Sequence, residues 1–161
     1  MGFKAIQSAI EELSELVTTL PAEWRPIPDE QAARRRSDGG WSRKQIVGHM
    51  IDSATVNQQR FIRALAGDSD FSLLYAQEEW VDLNGYQSRD WSEIIDLWKA
   101  INLHLLSVCR RIGEDQADLI CGKDGDPGPW TLAHRVPDYA AHLKMHVEQM
   151  RQGPWSSAYR V

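Results

Sequence analysis

The chain has 161 residues, 42% hydrophobic and 25% charged, a globular balance that excludes a disordered chain and suits one domain, residues 1–161. A net charge of −5 argues against a protein that grips nucleic acid by neutralising phosphates. No apolar run approaches the roughly 20 residues of a membrane span, and Glu11 and Glu12 stand where a signal peptide needs its apolar stretch. The expected setting is therefore cytoplasmic, with Cys109 and Cys121 as reduced thiols.

Residues 3–20 place Phe3, Ile6, Ile10, Leu13, Leu16, Val17 and Leu20 at steps of three and four, which predicts an amphipathic helix stopped by Pro21. Three prolines and two glycines then predict a long connection over 21–40, in which Arg34-Arg35-Arg36 reads as a solvated loop. Ser42 and Gln45 form a capping-box pattern, and Trp41 before it can staple against Ile46. The second helix runs from there to about residue 66, with Ile46, Val47, Met50, Ile51, Ala54, Phe61, Ile62 and Leu65 on its apolar face. Residues 67–88 hold Phe71, Leu73, Leu74, Tyr75, Trp80, Val81, Leu83 and Tyr86, too apolar for a free loop. They predict short turns over one end of the domain, with Asn84-Gly85 as a turn signal.

Ser88 or Asp90 caps a third helix, which carries Ile94 to Ile112 at helical period and ends at Gly113. A loop covers Gly122–Pro129. The fourth helix begins near Thr131 and runs to about Gln152. Pro137 either kinks it or begins its regular part. Four long helices and no convincing strand predict an all-α four-helix bundle with long connections and an irregular 67–90 segment. Up-down-up-down order does not follow from connections of that length.

Of five histidines, His142 and His146 are four apart. On a helix that puts both imidazoles on one face, about 5–6 Å apart at Cβ, where they can bind one metal ion. Position 143 is Leu, which excludes the helical HExxH protease pattern. His49 lies among Val47, Met50 and Ile51 of the second helix's apolar face. Alone it reads as a hydrogen-bonded core histidine; with His142 and His146 it reads as the third ligand of a divalent metal.

The segments Gly40-Trp41-Ser42-Arg43-Lys44-Gln45-Ile46-Val47-Gly48-His49 and Trp130-Thr131-Leu132-Ala133-His134, with His142-Leu143-Lys144-Met145-His146, resemble the DinB-like (DinB/YfiT) superfamily. The resemblance implies a four-helix bundle and a metal, often nickel or zinc, on His49, His142 and His146. Its members include transferases that use bacillithiol or mycothiol, a mycothiol-dependent isomerase and proteins described as metal-dependent hydrolases. Three neutral imidazoles leave a divalent ion its charge and open positions, which suits either thiol activation or hydrolysis. The first expectation is transfer of a low-molecular-weight thiol to a small electrophile. The alternatives are a hydrolase of a small amide or ester, and a non-catalytic metal- or ligand-binding bundle.

Other candidates read more simply. Asp138, four before His142, could orient it, but a solvated helix-face carboxylate is the plainer reading. Asp52, His134 and His104 read as structural or surface groups. Gln77, Glu78 and Asp82 are weak proton-shuttle candidates, and Tyr75 and Trp80 are weak candidates for a ligand pocket. Trp41, Trp91, Trp98 and Trp130 read as core packing, and the two cysteines are poor nucleophiles. A homodimer fits an exposed bundle face; nothing in the chain decides it.

Overall fold

The computed structural model describes residues 1–124 and 130–155. Four long helices carry it: α1 (Gly2–Trp24), α3 (Arg43–Leu65), α5 (Trp91–Cys109) and α6 (Leu132–Gln152). Two short helices, α2 (Asp29–Ala32) and α4 (Gln77–Leu83), and two single 3-10 turns, Tyr86–Ser88 and Glu114–Gln116, lie between them. Among the described residues the only strand-like pairings are isolated bridges, Arg36 with Trp155 and Ile120 with Thr131. The architecture is all-α, as the periodicity predicts, and no described helix is long and apolar enough to cross a membrane.

Around the bundle the order is α1, α5, α3, α6, so the helices joined by the connections 25–42 and 110–131 sit across the diagonals. Cross-links reveal direction. Glu12 pairs with Lys144 and Glu23 with Arg151, so α1 and α6 run parallel. Arg25 meets Asp96 while Arg110 meets Ser14, so α1 and α5 are antiparallel. His49 reaches His142 and His146 near one end, and Arg60 and Arg135 share Asp124 at the other, so α3 and α6 are antiparallel. It follows that α3 and α5 are parallel neighbours, which is not up-down-up-down order.

A parallel pair needs a connection that returns along the bundle, roughly 35 Å for a helix of this length. Residues 66–90 do this along α3. Leu73 meets Arg60, Asn84 meets Asp52, and Arg89 meets Lys44 in turn. The expected turns at one end are thus a return strap, containing the helix α4. Phe71, Val81 and Tyr86 anchor it in the core, whereas Leu74 and Leu83 remain exposed. Gly85 takes the left-handed backbone (φ 64°) that the Asn84-Gly85 signal predicts. Gly48 lets the Tyr86 ring press against α3, since a Cβ there would overlap the ring. The Tyr86 hydroxyl donates to Asp52 at 2.7 Å.

Both halves of the Ser42–Gln45 capping box form, and Asp90 caps α5 through the amides of Ser92 and Glu93. Elsewhere local signals yield. Pro21 lies inside α1, which continues to Trp24. Burial of Trp24 against Trp91 and Trp98 outweighs the one backbone bond that proline removes. The chain leaves α5 at Cys109, and Gly113 has φ −81°, so it is no left-handed cap. Pro137 sits within α6, which begins at Leu132, so it does not open the regular part. Ile62 is exposed, outside the apolar face assigned to it.

The connection over 21–40 includes α2. Lys44 is buried there, with its ammonium on Asp29 and the Arg89 carbonyl. Arg36 is not free in solvent either: it binds Asp38 and the Gln149 carbonyl. Gly125, Asp126, Pro127, Gly128 and Pro129 of the expected loop lie outside the described residues.

Candidate metal centre

Antiparallel packing of α3 on α6 brings His49 to His142 and His146. The Nε2 atoms of His49 and His146 each lie 3.1 Å from Nε2 of His142, and the three rings stand nearly perpendicular in pairs (74–82°). His49 and His146 are buried and His142 is half-buried.

Hydrogen bonding on the far side of the rings decides what points inward. Nδ1–H of His146 donates to Oε1 of Gln149 at 2.9 Å, which leaves Nε2 as a bare lone pair. Nδ1 of His142 lies 3.4 Å from the Ser53 hydroxyl. Nδ1 of His49 is buried without a hydrogen-bond partner among the described residues. Trp41 stacks near His49, ring centroids 5.1 Å apart, so the expected staple residue forms a wall of the site.

Burial pushes all three imidazoles toward the neutral form. Desolvation, then the nearby His146 and His142, lowers His49 to about 3. Desolvation, then His146, lowers His142 to about 4. His146 is also lowered by desolvation, against an opposing pull from Gln149. Three neutral imidazoles that turn their lone pairs to one point repel one another; an N–H···N bond within the cluster relieves one pair, and a cation between them relieves all three. A proton is the poor choice because burial disfavours it; a divalent metal satisfies all three together. The residues present therefore fit a metal of borderline softness such as zinc or nickel.

One hollow reaches His142, and a second lies behind Trp41 and Gln149, the residues set against His49 and His146. The first, of about 190 Å³, is lined by Ser53, Asn57, Arg60, Tyr75, Asp138 and His142 among others. The second, of about 430 Å³, includes Trp41, Gln45, Glu78, Asp82 and Gln149. The strap supplies Tyr75 and Gln77 to the first, which His142 also lines, and Glu78 and Asp82 to the second, which no histidine lines. Trp80 packs on Tyr75. Asp138 lines the first hollow, but the group facing His142 Nδ1 is Ser53. Asp52 is structural, held by Tyr86 and Asn84, and burial raises its carboxyl to about 6.

His134 and His104 are exposed and stand apart from the site. Trp91 and Trp98 are core residues as expected, while Trp130 is half-buried beneath the Arg135 guanidinium. Cys109 and Cys121 are buried thiols pushed up to about 12 by desolvation, which makes them poor nucleophiles.

Sequence reasoning missed Gln149, Ser53, Arg60, Arg135 and Asp124. The first two sit three and four residues after His146 and His49, the helical spacing of a same-face partner, and that spacing could have found them. Nothing in the sequence brings Asp124 to Arg60 and Arg135.

These features define a helical-bundle protein with a cluster of three histidines, two buried and one half-buried. The DinB superfamily model matches residues 5–150, and the chain belongs to that family. OB0413 of Oceanobacillus iheyensis, named as a candidate metal-dependent hydrolase, is 25% identical over 148 residues, 92% of this chain and 80% of its own length. YfiT of Bacillus subtilis, similarly named, is 23% identical over 151 residues, 91% of this chain and 85% of its own. A solved structure of YfiT, described as an unusual four-helix bundle topology, superposes with a TM-score of 0.80 at 21% identity, covering 91% of this chain and 84% of that one.

Proposed function

We propose that the protein is a metal-dependent hydrolase that holds one divalent cation, zinc or nickel, on His49, His142 and His146 and acts on a small amide or ester. The convergence of three neutral Nε2 donors beside a hollow carries the reading. The names of OB0413 and YfiT favour hydrolysis over the thiol transfer first expected from the sequence. When bound, such a cation supplies Lewis acidity toward a substrate oxygen and toward water.

The chain's own residues do the rest. Gln149 holds the His146 ring in the tautomer that turns Nε2 inward. Ser53 stands at the back of His142, and Trp41 walls off His49. The strap returns over α3 and sets Tyr75 and Gln77 on the substrate side. Depressed pKa values keep the imidazoles available as ligands well below neutrality.

The test is elemental analysis of untagged protein beside its His146→Ala variant, followed by amide and ester panels with and without added thiol. About one divalent metal per chain, lost in the variant, with hydrolysis that needs no thiol, is the expected result. Turnover only with a thiol would move the assignment to thiol transfer. Metal with no turnover in either panel, and a large loss of melting temperature on chelation, would leave a binding bundle.

A further inference from the structure

The hydroxyl behind His142 has more neighbours than the back of one ligand needs. Ser53 Oγ lies 3.4 Å from His142 Nδ1 and accepts from Asn57 Nδ2 at 3.3 Å. Its third neighbour is the Tyr75 hydroxyl, brought in by the strap, and Ser53 is the side-chain hydrogen-bond partner of Tyr75. Tyr75 is half-buried, stacks on Trp80, and lines the first hollow with Ser53, Asn57 and His142.

A hydroxyl has one proton to give and two lone pairs to receive with, so these three contacts constrain one another. Asn57 takes one lone pair of Ser53 in every case, because an amide nitrogen only donates. The rest depends on which nitrogen of His142 carries the proton. His146 Nε2 is bare, since Gln149 holds the proton on Nδ1, and it lies 3.1 Å from His142 Nε2. Without a cation, only a proton on His142 Nε2 relieves that contact. His142 Nδ1 is then an acceptor, Ser53 gives it the O–H, and the second lone pair of Ser53 takes the Tyr75 O–H. With His142 as a metal ligand, Nε2 is bare and the proton sits on Nδ1. Nδ1–H and Asn57 then fill both lone pairs of Ser53, whose own O–H turns to Tyr75 Oη. No place is left on Ser53 for the Tyr75 proton.

We infer that metal loading at His142 reverses this chain of hydroxyls and frees the Tyr75 O–H to donate to a carbonyl oxygen of the substrate in the first hollow. The inference rests on the reading of the three histidines as a metal centre. It makes Tyr75 a donor fixed in place by its neighbours and offered only when the centre is loaded. A neutral acceptor suits the hollow. Burial keeps the Tyr75 hydroxyl protonated, and Arg60 spends one nitrogen on the Leu73 carbonyl and Asp124 and another on Asn57.

Tyrosine carrying carbon-13 at Cζ reads each hydroxyl, because the shift of that carbon follows whether the oxygen donates or accepts. The chain has four tyrosines, and Tyr75→Phe assigns the signal of Tyr75. Tyr86 and Tyr139 donate to Asp52 and Asn102 and serve as internal controls. Zinc, its uptake measured by chelator competition, is expected to shift the Tyr75 signal and leave those two in place. Ser53→Ala removes the link and not the fold, since Asn57 keeps its bond to the carbonyl of position 53. In that variant zinc is expected to bind and the Tyr75 signal to stay put. Acetamide, standing for the substrate carbonyl, tests the freed donor. Zinc loading of the parent is expected to tighten acetamide about fivefold, the worth of one hydrogen bond. Zinc-loaded Tyr75→Phe is expected to lose that gain, read from Tyr139, which lines the same hollow. Ser53→Ala, in which Tyr75 is free throughout, is expected to bind acetamide equally with and without zinc.

A Tyr75 signal unmoved by bound zinc, or a shift that persists in Ser53→Ala, would overturn the inference while the metal reading stands. So would an acetamide gain that survives Tyr75→Phe, since the metal and not Tyr75 would then be holding the probe. A parent protein that takes up no zinc would end both readings.

Discussion

Replacing Gln149 by Leu tests whether the histidine cluster is built to hold a cation. The amide oxygen accepts from His146 Nδ1–H at 2.9 Å. Leucine has similar volume and equal helix propensity, so α6 is expected to persist. The metal-free protein can absorb the change. His146 then moves its proton to Nε2 and donates to His142, 3.1 Å away. The metal-bound state cannot, because Nε2 must be a bare lone pair, and Nδ1–H is left buried and unpaired. That orphaned donor costs about 1–3 kcal/mol, which corresponds to a loss of metal affinity of roughly 5- to 150-fold. Loss of an outer-shell partner typically falls in the same range, about 10–100-fold. Gln149→Glu is expected to shift affinity the other way, since a carboxylate accepts more strongly and makes the imidazole more basic. Competition against a chromophoric chelator at neutral pH measures all three proteins. A Leu variant that binds metal within twofold of the parent would refute the tautomer argument, and so would a Glu variant that binds more weakly than Leu.

Acid is expected to destabilise the metal-free protein. His49 and His142 have folded-state values of about 3 and 4, below the ordinary 6.5. At pH above 6.5 both states are neutral and neither residue contributes pH dependence. As pH falls below 6.5 the unfolded chain takes up the protons first, so stability drops by up to about 2.7 kcal/mol per pH unit for two groups. Asp52, raised to about 6 by burial, works in the opposite sense, since its folded form binds the proton more readily, and offsets one histidine below pH 6. Urea melts from pH 7.5 to 5 are the check, and a flat stability between 7 and 6 would contradict the buried-neutral assignment. Gly48→Ala is expected to lower stability by about 1–3 kcal/mol through overpacking against Tyr86, a fall of roughly 2–12 °C in thermal melts; an unchanged melting temperature would mean that the strap does not press on α3 there.

The reach of local signals explains what was legible. The Ser42–Gln45 box and the Gly85 turn act within one turn of chain, so residue identity alone determined them, while it narrowed the α5 cap to Ser88 or Asp90, of which Asp90 makes the bonds. The pairing of His142 with His146 is equally local, since helical spacing places both on one face. Pro21 and Gly113 carry local signals as well, but tertiary burial overrode the first, and the chain left α5 before the second could cap it.

What only the tertiary structure decided is which helices are neighbours. The ring order α1, α5, α3, α6 brings His49 across 93 positions to His142 and lays the 66–90 strap along α3 over the site. The same order brings Asp124 to Arg60 and Arg135. No periodicity encodes such meetings. An apolar stripe says that a helix face will be buried, but which other face buries it depends on the combined packing of all four helices and on connections long enough to cross the bundle.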